Sequence, residues 1–118
     1  MQYVLLIYQS EAEWEKLTEK ERAAISPEYG QFYRSIRQSG HFRAGNELKP
    51  TSSATTVRIR NDKRVVTDGP FAETKEQLVG FFAIEAKDLD EAISIATRIP
   101  SARFGAVEVR PVVAHGPN

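Results

Sequence analysis

Residues 65–76 read VVTDGPFAETKE, which indicates the end of a strand followed by a tight turn. Asp68 can accept hydrogen bonds from amides downstream of it, Gly69 tolerates a positive φ, and Pro70 fixes φ while lacking a donor. A turn of this kind holds the side chains around it in place. Four ionisable groups fall within these twelve residues, so we expect any functional site to lie near this turn.

The length and composition of the chain indicate one globular domain covering residues 1–118. Of the 118 residues, 41% are hydrophobic and 27% are charged, which is typical of a folded protein of single-domain size. The 16 basic and 16 acidic side chains cancel, which argues against a nucleic-acid or membrane-surface partner. The longest apolar run, residues 3–8, is too short to cross a bilayer and no signal peptide is recognisable. We therefore expect a cytoplasmic protein.

Chemistry that depends on cysteine or on a metal has little support in this sequence. The chain has no cysteine, and its two histidines are His41 and His115. Disulfides, thiolate metal sites and a cysteine nucleophile are therefore excluded, and a histidine-rich metal cluster is not expected. We predict neither a metal nor a cofactor.

The first third of the chain predicts one strand and two helices. Residues 3–8 (YVLLIY) form a continuous β-branched and aromatic run, as in a central strand. A capping box that begins at Ser10 predicts a short helix through about residue 25. The pair Ser26-Pro27 then predicts the start of a second helix, and Gly40 its end.

The rest of the chain predicts five strands and one helix. The strands are expected at residues 42–48, 54–60, 64–67, 78–84 and 107–111, with the second and third forming a hairpin and the second half-buried. Asp88 and Glu91 resemble a capping pair at a helix start, and Pro100 ends that helix. The helix is expected to bury a face made of Leu89, Ala92, Ile93 and Ala96.

This order of elements matches an α+β fold with a ferredoxin-like βαββαβ core and an inserted β-hairpin. In such a layout the helices cover one face of the sheet. Apolar side chains on the other face, around Phe81 and Ile84, need another cover, and a second copy of the same sheet is the simplest one. We therefore predict a homodimer.

The chain resembles the YCII-related proteins, and among them the DGPF subgroup, which is named for the tetrapeptide found here at Asp68-Gly69-Pro70-Phe71. Further matches to the family pattern are Leu48-x-Pro50, residues 54–58 (ATTVR), Glu73-x-Lys75-Glu76 and Gly80-Phe81. The resemblance implies a dimeric α+β barrel, in which two sheets pack face to face and leave a cleft. Most members of the family have no assigned reaction.

The chain departs from its relatives at a position of chemical interest. Related YCII proteins carry a histidine on the long helix and an aspartate after the last helix, and this pair is the usual suggestion for an acid–base dyad. Here the helix position falls near Glu28 or Tyr29, and the later segment reads Ile99-Pro100-Ser101. Any catalysis must therefore use other residues.

Candidate site residues cluster around the Asp68 turn. Asp68 is a catalytic candidate, because a carboxylate beside Phe71 could lose water and become more basic; alternatively it caps its own turn. Glu73 and Lys75 share one face of an extended segment and could bind a ligand together, with Lys75 holding an anion, or form only a solvated charged turn. Arg58 belongs to a basic stripe that binds anions or simply keeps a strand in solvent.

Two further candidates lie elsewhere in the sequence. His41 follows the predicted helix end and is a catalytic candidate at the rim of a pocket, with an ordinary loop residue as the alternative. Tyr8 is a candidate ligand contact in the cleft, with a place in the core as the alternative.

Two functions are compatible with these patterns. The first is a lyase- or isomerase-type enzyme that moves a proton on a small polar or anionic metabolite, with Asp68 as the base and Lys75 or Arg58 stabilising negative charge. The second is a non-catalytic dimeric binding or accessory module. The resemblance links that reading to sigma-factor regulation, because DGPF proteins often occur beside extracytoplasmic-function sigma factors. The fold hosts both kinds of function.

Overall fold

The computed structural model describes residues 1–115 and contains three α-helices, six strands and two short 3-10 helices in this part of the chain. The helices are α1 (Glu11–Lys16), α2 (Glu19–Gln38) and α3 (Leu89–Thr97), and the 3-10 helices are Thr51–Ser53 and Pro100–Arg103. The strands are β1 (Gln2–Gln9), β2 (Phe42–Glu47), β3 (Thr55–Arg60), β4 (Lys63–Asp68), β5 (Gln77–Glu85) and β6 (Ala106–Pro111).

Four strands form the main sheet in the order β2-β5-β1-β6, and every neighbouring pair is antiparallel. Leu5 in the central strand β1 lies opposite Phe82 on one side and Val109 on the other. This order of strands, with helices after β1 and β5, is consistent with the predicted ferredoxin-like α+β fold.

The core lies between the main sheet and the two longer helices. Alternate residues of β1 point into it, namely Tyr3, Leu5 and Ile7, all less than 5% exposed. The helices meet them with buried side chains, which are Phe32 and Ile36 from α2 and Ala92, Ile95 and Ala96 from α3.

The predicted boundary between the first two helices is wrong. The first helix ends at Lys16. Helix α2 begins directly after its N-cap Thr18 and continues through Pro27. Thr18 and Glu21 form a complete capping box, in which the Glu21 amide donates to Thr18 Oγ1 at 3.1 Å and the Thr18 amide donates to Glu21 Oε1 at 2.9 Å. This box satisfies two helix-start amides, whereas Pro27 removes only one interior hydrogen bond. The helix therefore passes through the proline.

The buried face of α3 differs in part from the predicted one. The helix is capped by Asp88 as expected, since the Glu91 amide donates to Asp88 Oδ1 at 2.9 Å. Ala92 and Ala96 are buried, but Leu89 and Ile93 are about half exposed. Ile95 takes their place in the core, because the helix is rotated relative to the face inferred from spacing alone.

Strands β3 and β4 form a separate two-stranded ribbon, residues 55–68, which we call the arm. The strands are joined at Asn61-Asp62, both with positive φ, as a tight hairpin turn requires. The prediction that the first of these strands is half-buried is wrong, because Val57 and Ile59 are 59% and 60% exposed. The arm leaves the body of the fold at the end of the sheet where β2 stops and β5 begins.

One face of the main sheet has no helix over it. It carries the alternate residues Val4, Leu6 and Tyr8 from β1 and, by register, Phe81 and Ala83 from β5, all half-buried. Ile84 was predicted to belong here and does not, because it is fully buried on the helix side. Among residues 1–115, none of the helices combines the length and apolar character needed to cross a membrane.

Candidate functional site

A cavity of about 800 Å³ opens between the main sheet and the helices α1 and α2. Its walls come from the ends of β1, β2 and β5, from the middle of α2 and from the 3-10 helix Thr51–Ser53. The volume is within the range of pockets that hold small molecules. It is the candidate functional site of the described part of the chain.

Two glycines keep the sheet side of the cavity open. A Cβ added at Gly80 would lie 2.9 Å from the Asn46 carbonyl oxygen, and one at Gly45 would lie 2.8 Å from the Phe82 ring. Strands β2 and β5 approach so closely here that a side chain would displace its neighbours. The two glycines therefore allow β2 and β5 to pair closely, and they leave the adjoining part of the cavity free of side chains.

A chain of hydrogen bonds lies in the wall of this cavity. Tyr29 on α2 bonds through its hydroxyl to Ser101, and the Ser101 hydroxyl donates to Gln9 Oε1 at 2.8 Å. Since the single hydroxyl proton of Ser101 goes to Gln9, the bond from Tyr29 has the phenol as its donor. Lone pairs of the phenol oxygen then remain for a group that enters the cavity.

The hydrogen-bonded groups Tyr29, Ser101 and Gln9 differ from the other polar groups of the protein in their burial. Among residues 1–115, Ser101 is the one polar residue that is fully buried. Burial raises the pKa of Tyr29 above its ordinary value, the bond to Ser101 offsets part of that rise, and the negative charge of Glu47 adds to it. Tyr29 is therefore a neutral phenol held in a fixed position at physiological pH.

The charged part of the lining is mostly acidic. It consists of Glu11, Glu15 and Glu47, with Arg22 as the basic lining residue. Glu11 is already occupied, because it accepts from the Thr51 amide at 2.8 Å and from Thr51 Oγ1 at 2.5 Å. It ties α1 to the rim, so Glu15, Glu47 and Arg22 are the charged groups left for a ligand.

The residues predicted around the Asp68 turn do not line this cavity. Gly69 has the expected positive φ of 95°. Asp68 is exposed at the end of β4, and within residues 1–115 no hydrogen bond reaches its carboxylate. Glu73 and Lys75 are exposed in the segment that follows. Arg58 does approach the turn, since its Nη2 donates to the Phe71 carbonyl oxygen at 3.3 Å.

His41 and Tyr8 also lie outside the cavity lining. Tyr8 is on the uncovered sheet face. His41 lies between two helix ends, with Nδ1 at 2.6 Å from Ser39 Oγ and Nε2 at 3.1 Å from Glu91 Oε1. The Lys87 amide, followed by His41, holds the pKa of Glu91 below its ordinary value. This arrangement joins the end of α2 to the start of α3.

Comparisons with known proteins cover nearly the whole chain. The model of the YCII-related domain matches residues 1–115. The chain belongs to the YCII-related family. An uncharacterised protein of Rhizobium meliloti (strain 1021) is 34% identical to it over 119 aligned residues, which cover 99% of this chain and 96% of that relative. Fold and length are therefore shared with a relative whose own function has not been assigned.

The central pair of this YCII-related site could be seen only in part from the sequence. Tyr29 and Ser101 lie in the two segments where the resemblance implies a histidine and an aspartate, near Glu28 or Tyr29 and within Ile99-Pro100-Ser101. The structure brings Tyr29 and Ser101 into contact across 72 positions of sequence. No sequence pattern pointed to Gln9 as a site residue. Within the described residues, no three His, Asp or Glu side chains form a group that could hold a metal ion.

Proposed function

We propose that this YCII-related protein binds a small polar organic molecule in the cavity beside Tyr29. The hydrogen-bond chain from Tyr29 through Ser101 to Gln9 carries the proposal, because it fixes a polar group in the wall of an otherwise largely apolar cavity. Pockets for small molecules have this composition, with a few fixed polar groups among apolar walls.

The charges of the lining favour a ligand with hydrogen-bond donors. The phenol oxygen of Tyr29 is left as an acceptor, and Glu15 and Glu47 are acceptors as well. A hydroxyl or amine group can donate hydrogen bonds to these acceptors. An anion would be attracted by Arg22 and repelled by the glutamates. The sequence left a polar or an anionic metabolite open, and the proposal narrows the ligand to a neutral or cationic polar molecule.

Proton transfer of the lyase or isomerase type is the chemistry proposed for this site. Glu47 is the base that takes a proton from the carbon beside a carbonyl of the bound molecule, and the electron pair of the broken C–H bond moves towards the carbonyl oxygen. Glu47 then returns the proton to the former carbonyl carbon, while the proton of the adjacent hydroxyl passes to the oxygen of that carbon, so that the molecule is isomerised. The Tyr29 oxygen positions the molecule by accepting a hydrogen bond from another of its hydroxyl groups. Asp68, Glu73, Lys75 and Arg58 stay predictions of a site at the DGPF turn, and His41 and Tyr8 stay predictions of a pocket rim and of a contact in the cleft. The cavity does not include them, so a single experiment can separate the two sites.

The uncovered sheet face supports a homodimer and the second candidate function, a non-catalytic dimeric module. Val4, Leu6 and Phe81 lie there without a helix above them, and an antiparallel sheet with an apolar face needs a partner layer. A second copy related by a two-fold axis supplies it and makes a dimeric α+β barrel, the form implied by the DGPF tetrapeptide at residues 68–71.

The test of the proposed site uses a defined mixture of small hydroxy acids, amines and carboxylates as the probe. Ligand-observed NMR identifies which components bind, and the thermal midpoint is then measured with each. A component at 100 times its dissociation constant stabilises the fold by about 2.7 kcal/mol, which raises the midpoint of thermal unfolding by roughly 10 °C in a domain of this size. We expect Glu47→Gln and Tyr29→Phe to reduce the shift strongly.

Asp68→Asn is the matched control, because it also removes one carboxylate charge but lies outside the cavity. Its midpoint shift is expected to equal that of the wild type. A shift lost in Asp68→Asn and kept in Glu47→Gln would place the ligand at the DGPF turn and contradict the proposal. Absence of any bound component would leave the dimeric module as the better function.

A further inference from the structure

The arm, residues 55–68, leaves its apolar side chains largely exposed within the described residues 1–115. Val57, Ile59 and Val66 are 59%, 60% and 52% exposed. Its ties to the body are at its base, where the Gly69 amide donates to the Ala54 carbonyl oxygen at 2.7 Å and Thr56 Oγ1 donates to the Gly69 carbonyl oxygen at 2.8 Å. An isolated two-stranded ribbon is at best marginally stable in water. Something beyond this chain is therefore needed to hold it.

The register of the ribbon sorts its side chains into two different faces. Val57 lies opposite Val66 and Ile59 lies opposite Arg64, so these four residues share one face. The other face has Arg58 opposite Val65 and Arg60 opposite Lys63. The first face therefore carries three large apolar side chains, with Thr55 and Asp68 paired at its base, and we call it the apolar face. The other carries three basic side chains, suited to solvent or to an acidic surface, and we call it the basic face.

We propose that the apolar face of the arm packs against a second copy of this chain, so that each protomer of a dimer is held by the arm of the other. The inference rests on the dimer proposed above and adds an interface element to it. It does not depend on whether the cavity binds a ligand.

The area needed by a stable dimer supports a second copy as the occupant. The footprint of a four-stranded sheet with strands of six residues is roughly 19 Å by 20 Å, or about 400 Å². A standard interface buries about 800 Å² on each partner. The ribbon adds a footprint of roughly 200 Å², which supplies a large part of the missing area.

The charges of the chain point to the same occupant. Residues 55–68 carry four basic and two acidic side chains, whereas residues 11–21 carry five acidic and two basic ones. A two-fold axis exchanges such surfaces reciprocally, so each basic arm can lie near the acidic helix start of the other copy. The net charge of zero removes general repulsion between copies.

Two substitutions of the same chemistry test the arm. Val66→Asp puts a charge on the apolar face, and Val65→Asp puts the same charge at the next position on the basic face. Sedimentation velocity over roughly a hundredfold range of concentration gives the dimer dissociation constant of each. We expect Val66→Asp to raise it at least about tenfold and Val65→Asp to change it by about twofold or less. Both residues are exposed in the single chain, so circular dichroism should show the folded state in each variant.

Hydrogen exchange of the arm amides gives an independent readout. In the wild type, exchange at residues 55–68 should slow as dimer forms on concentration, while exchange in Val66→Asp should stay fast.

Three results would overturn the inference. If Val66→Asp dimerises as tightly as wild type and the arm exchanges fast in the dimer, the dimer stands and the arm plays no part in it. If the arm is already protected in dilute monomer, it packs on its own chain. If wild type stays monomeric throughout, the arm inference and the proposed dimer both fail, and the ligand test of the cavity is unaffected.

Discussion

The hydroxyl of Ser101 is the most constrained polar atom of the candidate site. It accepts from Tyr29 and donates to Gln9, and it has no access to water. A buried polar group that loses its partner costs about 1–3 kcal/mol. The effect of a substitution in this chain therefore depends on how many groups it leaves unpaired.

Ser101→Ala should be the most destabilising of three single substitutions. It leaves both the Tyr29 hydroxyl and Gln9 Oε1 without their partner, at a cost of about 2–3 kcal/mol, whereas Tyr29→Phe leaves the Ser101–Gln9 bond intact and costs about 1 kcal/mol. Tyr33→Phe is the control, since its hydroxyl accepts from Arg37 at the exposed surface and should cost less than about 0.5 kcal/mol. Urea unfolding measures all three, and equal costs for the three would contradict the buried chain.

Tyr29 should also titrate at a higher pH than an ordinary phenol. Its pKa is raised in the folded state, so folding favours the protonated phenol. This contribution to stability is fully present below the unfolded value near 10 and is lost as the pH rises through the higher folded pKa. Absorbance at alkaline pH should show that the phenol lost in Tyr29→Phe is one whose pKa lies above the ordinary value. A wild-type unfolding free energy that does not fall more steeply above pH 10 than that of Tyr29→Phe would contradict it.

At the scale of elements, the sequence offers two possible starts for α2, one capped by Thr18 and one by Ser26. Thr18 and Glu21 satisfy two orphan amides at the helix start, and Ser26-Pro27 would have begun a shorter helix. Because α2 starts earlier, it presents Tyr29 from its middle, where a neighbouring turn on each side holds the ring in place.

Thr18→Ala should destabilise the protein by about 1 kcal/mol, the usual cost of removing an N-cap. Ser26→Ala removes the hydroxyl of the rival cap and should cost less than about 0.5 kcal/mol, because Ser26 lies inside the helix. Urea unfolding of both variants measures the difference. A larger loss in Ser26→Ala would mean that the helix begins at Ser26 in solution.

The sequence predicted local features better than distant contacts. The strands, the Asp88 cap and the Gly69 turn depend on residues that are close together in the sequence, so the sequence pattern predicted them. The helix boundary was missed because the two possible N-caps, Thr18 and Ser26, lie eight positions apart and their relative strength depends on packing. Tyr29, Ser101 and Gln9 meet only after the fold has formed, and a sequence pattern carries no information on such a contact.

At the scale of the whole molecule, the chain is flat and extended, measuring 48 × 47 × 18 Å with a radius of gyration of 16.5 Å. A compact domain of this length has a radius of gyration of about 13.5 Å. The arm contributes to this excess, since its apolar side chains are exposed while Leu5, Ile36 and Ile84 are fully buried in the body. The protein therefore combines a body that buries its own core with a ribbon that does not contribute to it.

The body should consequently fold without the arm. Ala54 and Gly69 are hydrogen-bonded neighbours, so two glycines can replace residues 55–68 and close the gap. At concentrations where the wild type is monomeric, we expect cooperative urea unfolding with a free energy within about 1 kcal/mol of wild type, because no buried side chain is removed. A variant that shortens only the tip, with two glycines in place of residues 57–66, controls for the linkage itself. Loss of cooperative unfolding in the armless chain, with the tip variant intact, would show that the base of the arm belongs to the core. Retention in both would locate all of the folding information of the YCII-related domain in the sheet and helices, and leave the arm free for contacts with another copy.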